Sequence, residues 1–181
     1  MTEGLATYYQ EVLRAREGVI GEEAAWSALL SGFARGRAEG TGRTLDEECR
    51  DLGETRAYGR VYWAGAALAM LADVEYRRES AGESSLDTAM RRAAERLDRT
   101  LTAEELAEAM DGREGGALAR VLARWRSSTD FPDVEPALEW MGVRRGASGI
   151  ELVEAEGASV RDAIMNGSTT LASNPTHCGA H

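Results

Sequence analysis

Lysine is absent: all 21 basic residues are arginine. Only 3 prolines occur, and the first stands at position 132, so no proline interrupts a helix before that point. With 2 cysteines, Cys49 and Cys178, a disulfide framework is excluded. The 2 histidines, His177 and His181, both sit near the C-terminus, so no Ser/His/Asp triad can be built around a core histidine. The sequence holds no HExxH, no CxxC and no EF-hand loop. Its longest apolar run, residues 61–74, contains Asp73 and is too short to span a bilayer, so no membrane partner is expected. Residues 1–20 carry Glu3, Glu11 and Glu17 and lack the continuous apolar stretch of a secretory leader, which leaves the cytoplasm as the default location.

What is present describes one folded domain. The chain has 181 residues, 43% of them apolar and 29% charged, enough to bury a core. The 31 acidic residues outnumber the basic ones and give a net charge of -10, which repels phosphate and argues against nucleic acid as a partner.

Apolar residues recur at helical spacing through most of the chain. Residues 3–17 place Leu5, Tyr8, Tyr9, Val12 and Leu13 on one face, with Gly18 as a stop. Residues 22–38 turn Ala25, Trp26, Leu29, Leu30 and Phe33 inward. Thr44-Leu45-Asp46-Glu47 and Thr102-Ala103-Glu104-Glu105 fit capping boxes, and Ser84 or Ser85 suits the start of a helix reaching about residue 97. The segment 55–79 is apolar nearly all round until Asp73, the mark of a central helix covered on every side. Gly65 in its middle costs about 1 kcal/mol relative to alanine and suggests that another backbone passes close by. The charged end Glu75-Tyr76-Arg77-Arg78-Glu79 should reach the surface.

Further helices are expected over 102–110 and 116–126, the latter burying Leu118, Val121, Leu122 and Trp125. Another follows Pro132, which pre-sets a first turn, and packs Val134, Leu138, Trp140 and Met141 inward. Residues 143–153 fit a small β-hairpin, and 160–165 a last helical turn or two. The architecture is therefore all-α: a multi-helix bundle over residues 1–165 with a buried central helix, followed by a disordered tail over 166–181 rich in Gly, Ser, Thr and Asn.

Few residues offer chemistry. Gly112-Arg113-Glu114-Gly115-Gly116 has the outline of a phosphate loop but lacks its lysine and its preceding strand, and reads as an ordinary connection. His177 and His181 flank Cys178 at a spacing that would share a helix face, but Pro175 and Gly179 oppose a helix there. Tyr58, Tyr62 and Gly65 share one face of the central helix; from the residues alone these are core tyrosines whose O–H groups need partners.

Two segments carry a resemblance: Thr2-Glu3-Gly4-Leu5-Ala6-Thr7-Tyr8-Tyr9, and Tyr62-Trp63-Ala64-Gly65 with the leucine-rich run that ends in Asp73-Val74-Glu75-Tyr76-Arg77. Together they resemble the C-terminal helical part of the glycyl aminopeptidase family of gluzincin zinc metallopeptidases, whose members often carry a PDZ domain. Gly82, Ser85-Leu86-Asp87, the helix start at Thr102, the Arg124-Trp125 to Pro132 stretch and Leu138 to Val143 follow the same order, so the likeness covers about residues 2–165. Two departures accompany it: Ala64 stands where the family places a basic residue, and no PDZ sequence is found.

The resemblance implies a zinc-dependent aminopeptidase acting on peptides. Glu3 falls on the third zinc ligand, and Tyr62 on the phenol that hydrogen-bonds the oxyanion of the tetrahedral intermediate. The other two ligands and the general base belong to an HExxH helix, which in the family lies upstream. Such zinc takes three protein ligands and keeps one position open. The lone Glu3 does not supply that set, so no zinc is expected in this chain alone and the isolated chain should be inactive. Its partner would be the missing N-terminal catalytic lobe. The alternative is a free-standing helical interaction module derived from that family, self-associating through a face that bears Tyr8, Tyr9 or Tyr58.

Overall fold

The computed structural model describes residues 2–95, 101–113, 115–147 and 149–167. Helix α1 (Thr2–Arg16) ends in a turn at Gly18, whose φ of 66° favours glycine. Helix α2 (Glu22–Ala38) opens with Glu22 and Glu23 and closes with Arg35 and Arg37, complementing the helix dipole, and buries Trp26, Leu29, Leu30 and Phe33. Thr44 caps α3 (Leu45–Arg50) through a capping box with Glu47. The short α4 (Leu52–Thr55) stops at Arg56, whose left-handed φ of 55° breaks the chain direction. The central helix α5 (Tyr58–Glu79) therefore begins after that break rather than at residue 55.

Helix α5 is the axis of the molecule. Ala64, Gly65, Ala66, Ala67, Leu68, Ala69 and Met70 are all buried in succession, and α1, α2, α3 and the later helices Leu86–Ala94, Ala117–Trp125 and Ala158–Asn166 pack around it. Its small residues let neighbouring helices approach closely. The clearest case is α1: a Cβ built on Gly65 would sit 2.8 Å from the Gly4 Cα, and one on Gly4 would sit 2.5 Å from the Gly65 carbonyl carbon. The backbone approach inferred from Gly65 is thus present, and glycine is required on both helices.

Contrary to expectation, the charged end of α5 does not simply reach the surface. Tyr76 and Arg77 are buried, and only Arg78 and Glu79 are exposed. The reason is electrostatic pairing. Asp73 and Arg77, both 0% exposed, are one turn apart, and the Arg77 Nε donates to Asp73 Oδ1 at 3.0 Å.

Ser85 caps α6 (Leu86–Ala94) through a box with Thr88; the helix ends at Ala94 with Glu95 as its C-cap, and residues 96 and 97 of the expected helix lie outside the described residues. Thr102 caps α7 (Ala103–Asp111), again with a complete capping box. In α8 (Ala117–Trp125) Leu118, Val121 and Leu122 are buried, while Trp125 is half-buried. Pro136, not Pro132, occupies the first turn of α9 (Glu135–Trp140), where its missing N–H costs nothing. Gly142 then leads into the hairpin of β1 (Val143–Arg145) and β2 (Ile150–Leu152), antiparallel with Val143 opposite Leu152. The last helix, α10 (Ala158–Asn166), buries Val160, Ile164 and Met165 and reaches one residue past the boundary expected for the tail. Residues 168–181, with His177, Cys178 and His181, lie outside the described part.

Candidate functional site

Two helices bring the predicted site residues to one place. Glu3 lies in the first turn of α1, where a carboxylate complements the helix dipole, and is exposed. Tyr62 lies in the second turn of α5 and is half-buried, three residues before Gly65 on the same face. Because Gly4 is pressed against Gly65, Glu3 and Tyr62 both line one cleft. Tyr58 meets Tyr62 edge-to-face with ring centroids 6.1 Å apart. Neither ring is the core tyrosine that the residues alone suggest: Tyr58 is 47% exposed.

The cleft measures about 670 Å³. Its floor is apolar, built from Leu45 and Leu52 before α5, Val61 and Leu68 on α5, and Ala107 and Leu122 on α7 and α8. Its rim is acidic, with Glu3, Asp46, Glu104 and Glu108. Arg126 neutralises two of these: its Nε meets Asp46 Oδ2 at 2.7 Å and its Nη1 pairs with Glu104. The Asp46 N–H also donates to the Arg126 carbonyl at 2.9 Å, which ties the start of α3 to the end of α8. Cys49 opens on the cleft too; desolvation raises its thiol above the ordinary value even though the residue is exposed overall, so it is a poor thiolate nucleophile.

Among the described residues no group of three or more His, Cys, Asp or Glu side chains could hold an ion. Glu3 contributes one exposed carboxylate to the cleft.

A second polar cluster escaped the sequence. Asp73 Oδ2 accepts from the Tyr8 hydroxyl at 3.0 Å, and Asp73 Oδ1 from the Leu86 N–H at 2.9 Å, in addition to Arg77. Beside it, Asp87 accepts from the Tyr9 hydroxyl at 2.6 Å and from Arg16 at 3.1 Å. Burial and the Asp73 charge hold the Tyr8 phenol well above its ordinary pKa. Burial and the bond to Asp87 do the same for Tyr9. Burial alone would raise Asp87, but hydrogen bonds from Arg16 and Tyr9 outweigh it and hold the carboxyl below its ordinary value. The cluster locks α1, α5 and the start of α6 together. It also withdraws Tyr8 from any association face, since that ring is fully buried.

The loop before α8 is occupied by the chain itself. The Asp111 carboxylate accepts from the N–H groups of Leu118 and Ala119, both at 3.0 Å, and from the Tyr76 hydroxyl at 2.5 Å. An internal carboxylate thus fills the helix start where a phosphate would bind.

No protein family, curated protein or solved structure matches the chain.

Proposed function

We propose that this chain is the C-terminal helical lobe of a zinc-dependent aminopeptidase-like protein, contributing Glu3 as one metal ligand and Tyr62 as a hydrogen-bond donor. The observation that supports the reading is the Gly4–Gly65 crossing, which sets Glu3 and Tyr62 on a common cleft although they belong to different helices. A half-buried phenol at the edge of an apolar cleft can donate a strong hydrogen bond to charge that develops on a carbonyl oxygen. Glu3 remains exposed and able to meet a cation held jointly with another segment.

The reading is tested by sequencing the DNA upstream of the Met1 codon and by reconstitution. An in-frame His-Glu-x-x-His is expected there; a stop codon with no such segment contradicts the proposal. A reconstituted protein should bind one zinc and cleave peptides from the N-terminus, and Tyr62→Phe should lower its turnover about 100-fold.

A second reading, a helical module that pairs with its own copy, is favoured by one observation. Leu13, 48% exposed, and Met90, 37% exposed, lie with Leu5 and Ala6 along an apolar depression between α1 and α6. On that reading sedimentation shows a concentration-dependent dimer; a strictly monomeric profile opposes it.

A further inference from the structure

A second cleft, of about 440 Å³, lies between α5, α8 and α9 and shares no lining residue with the first. That is a size a small molecule fills. Two half-buried indoles, Trp125 and Trp140, line it together with Leu71, Val74 and Val121. Each indole carries a guanidinium: Arg78 stands 5.2 Å from the Trp140 ring centroid, and Arg124 stands 5.1 Å from that of Trp125. Both arginines line the cleft and are exposed, and among the described residues neither has an ion-pair or hydrogen-bond partner. The Trp140 ring is held in place, since a Cβ built on Gly157 would sit 2.3 Å from it. The other charges on the cleft are Arg120, Asp133 and Glu75. Arg120 is taken up by Glu79 and by the Gly115 carbonyl at 2.7 Å. The Asp133 carboxylate accepts from the Glu135 N–H at 3.2 Å, and Glu75 is half-buried.

We infer that this cleft binds a small aromatic carboxylate: a flat ring packed against Trp125 and Trp140, with its carboxylate on the N–H groups of Arg78 and Arg124. A guanidinium that stacks on an indole by its face keeps its edge N–H groups for a carboxylate, which they meet as a planar fork. Stacking also restrains these long side chains beforehand, which lowers the cost of ordering them on binding. A planar ring suits the two indoles, because ring–ring contacts add to the gain from area burial. Burial of the ring supplies most of the affinity. The exposed arginines add a preference for the anion worth about fivefold, which weakens as salt rises. Asp133 and Glu75 temper that preference without reversing it, since three arginines face two carboxylates. The cleft lies apart from Glu3 and Tyr62, so its ligand is independent of any zinc chemistry.

The test uses the purified full chain and calorimetric titration with 2-naphthoate, 2-naphthamide, 2-naphthylmethylamine and acetate. Naphthoate should bind saturably, about fivefold more tightly than the neutral amide at low salt, with the amine weaker than either and acetate weakest. In Arg78→Gln/Arg124→Gln the preference of naphthoate over naphthamide should disappear while naphthamide binding persists. Asp133→Asn, which keeps an acceptor for the Glu135 N–H, should tighten naphthoate about twofold. Ala137→Phe, at a half-buried position on the cleft wall, should weaken naphthoate and naphthamide alike. If circular dichroism shows that variant to be unfolded, Pro136→Trp at the exposed rim serves the same purpose. N-acetyltryptophan carries the same chemistry as a chain end and separates the two sources of such a carboxylate. Binding tighter than naphthoate assigns the C-terminal aromatic residue of a chain, and the reverse order assigns a free aromatic acid. Naphthamide or the amine binding as tightly as naphthoate, no saturable binding of any naphthyl compound, or indifference to filling the cleft would each overturn the inference.

Discussion

At the scale of single residues, the buried charges carry the greatest consequences. Asp73 receives three donors in a site closed to water, so removing it strands groups that were desolvated to meet it. Asp73→Ala should cost about 3–5 kcal/mol in denaturant unfolding. Asp87 is also expected to govern acid stability. Its folded pKa lies below the unfolded value, so its stabilisation is present above about pH 4 and is lost as pH falls through the folded pKa. The thermal midpoint should therefore fall between pH 5 and pH 3, and Asp87→Asn should flatten that fall. Tyr8, Tyr9 and Tyr76 have raised phenol pKa values, each chiefly through burial. Their contribution is complete below about pH 10 and declines above it, so their ultraviolet ionisation signal should appear only with alkaline unfolding. This network was only half legible in the sequence. The break in the apolar run at Asp73 is plain, but an Asp/Arg pair one turn apart looks the same on a solvated face as in a core. Partners such as Tyr8 and Leu86 come from distant segments.

At the scale of elements, the helices were legible because local signals agree with one another. Thr44 and Thr102 each form the capping box that their sequences advertise, Ser85 rather than Ser84 caps α6, and Gly18 takes the left-handed turn expected of a stop. Thr44→Ala should cost about 1 kcal/mol, measurable by urea unfolding. The break at Arg56 was not legible, because an arginine in the left-handed region carries no compositional mark. The α1/α5 crossing is the most demanding contact. A methyl group on Gly4 or Gly65 meets backbone that cannot rotate away. Gly65→Ala should destabilise the fold by about 1–3 kcal/mol through overpacking, despite the higher helix propensity of alanine. A stabilised Gly65→Ala protein would refute the close approach.

At the scale of the whole molecule, the candidate site is a product of tertiary assembly. Glu3 and Tyr62 were singled out through a resemblance, whereas the cleft they share depends on α1 crossing α5 and on walls from α3, α7 and α8. No local pattern announces that floor: Leu45, Leu68 and Leu122 each look like ordinary core residues on their own helices. The acidic rim is likewise scattered, and its pairing through Arg126 joins segments far apart in sequence. The molecule thus sets Glu3 and Tyr62 on a preformed apolar cleft, which on the proposed reading is a share of a hydrolytic site.

Equilibrium dialysis against zinc, combined with peptide hydrolysis by the same purified chain, tests this division most directly. The account predicts no stoichiometric zinc and no turnover in the isolated protein, with Glu3→Gln and Tyr62→Phe indistinguishable from the parent. One zinc per chain released by Glu3→Gln, or turnover abolished by Tyr62→Phe, would contradict it.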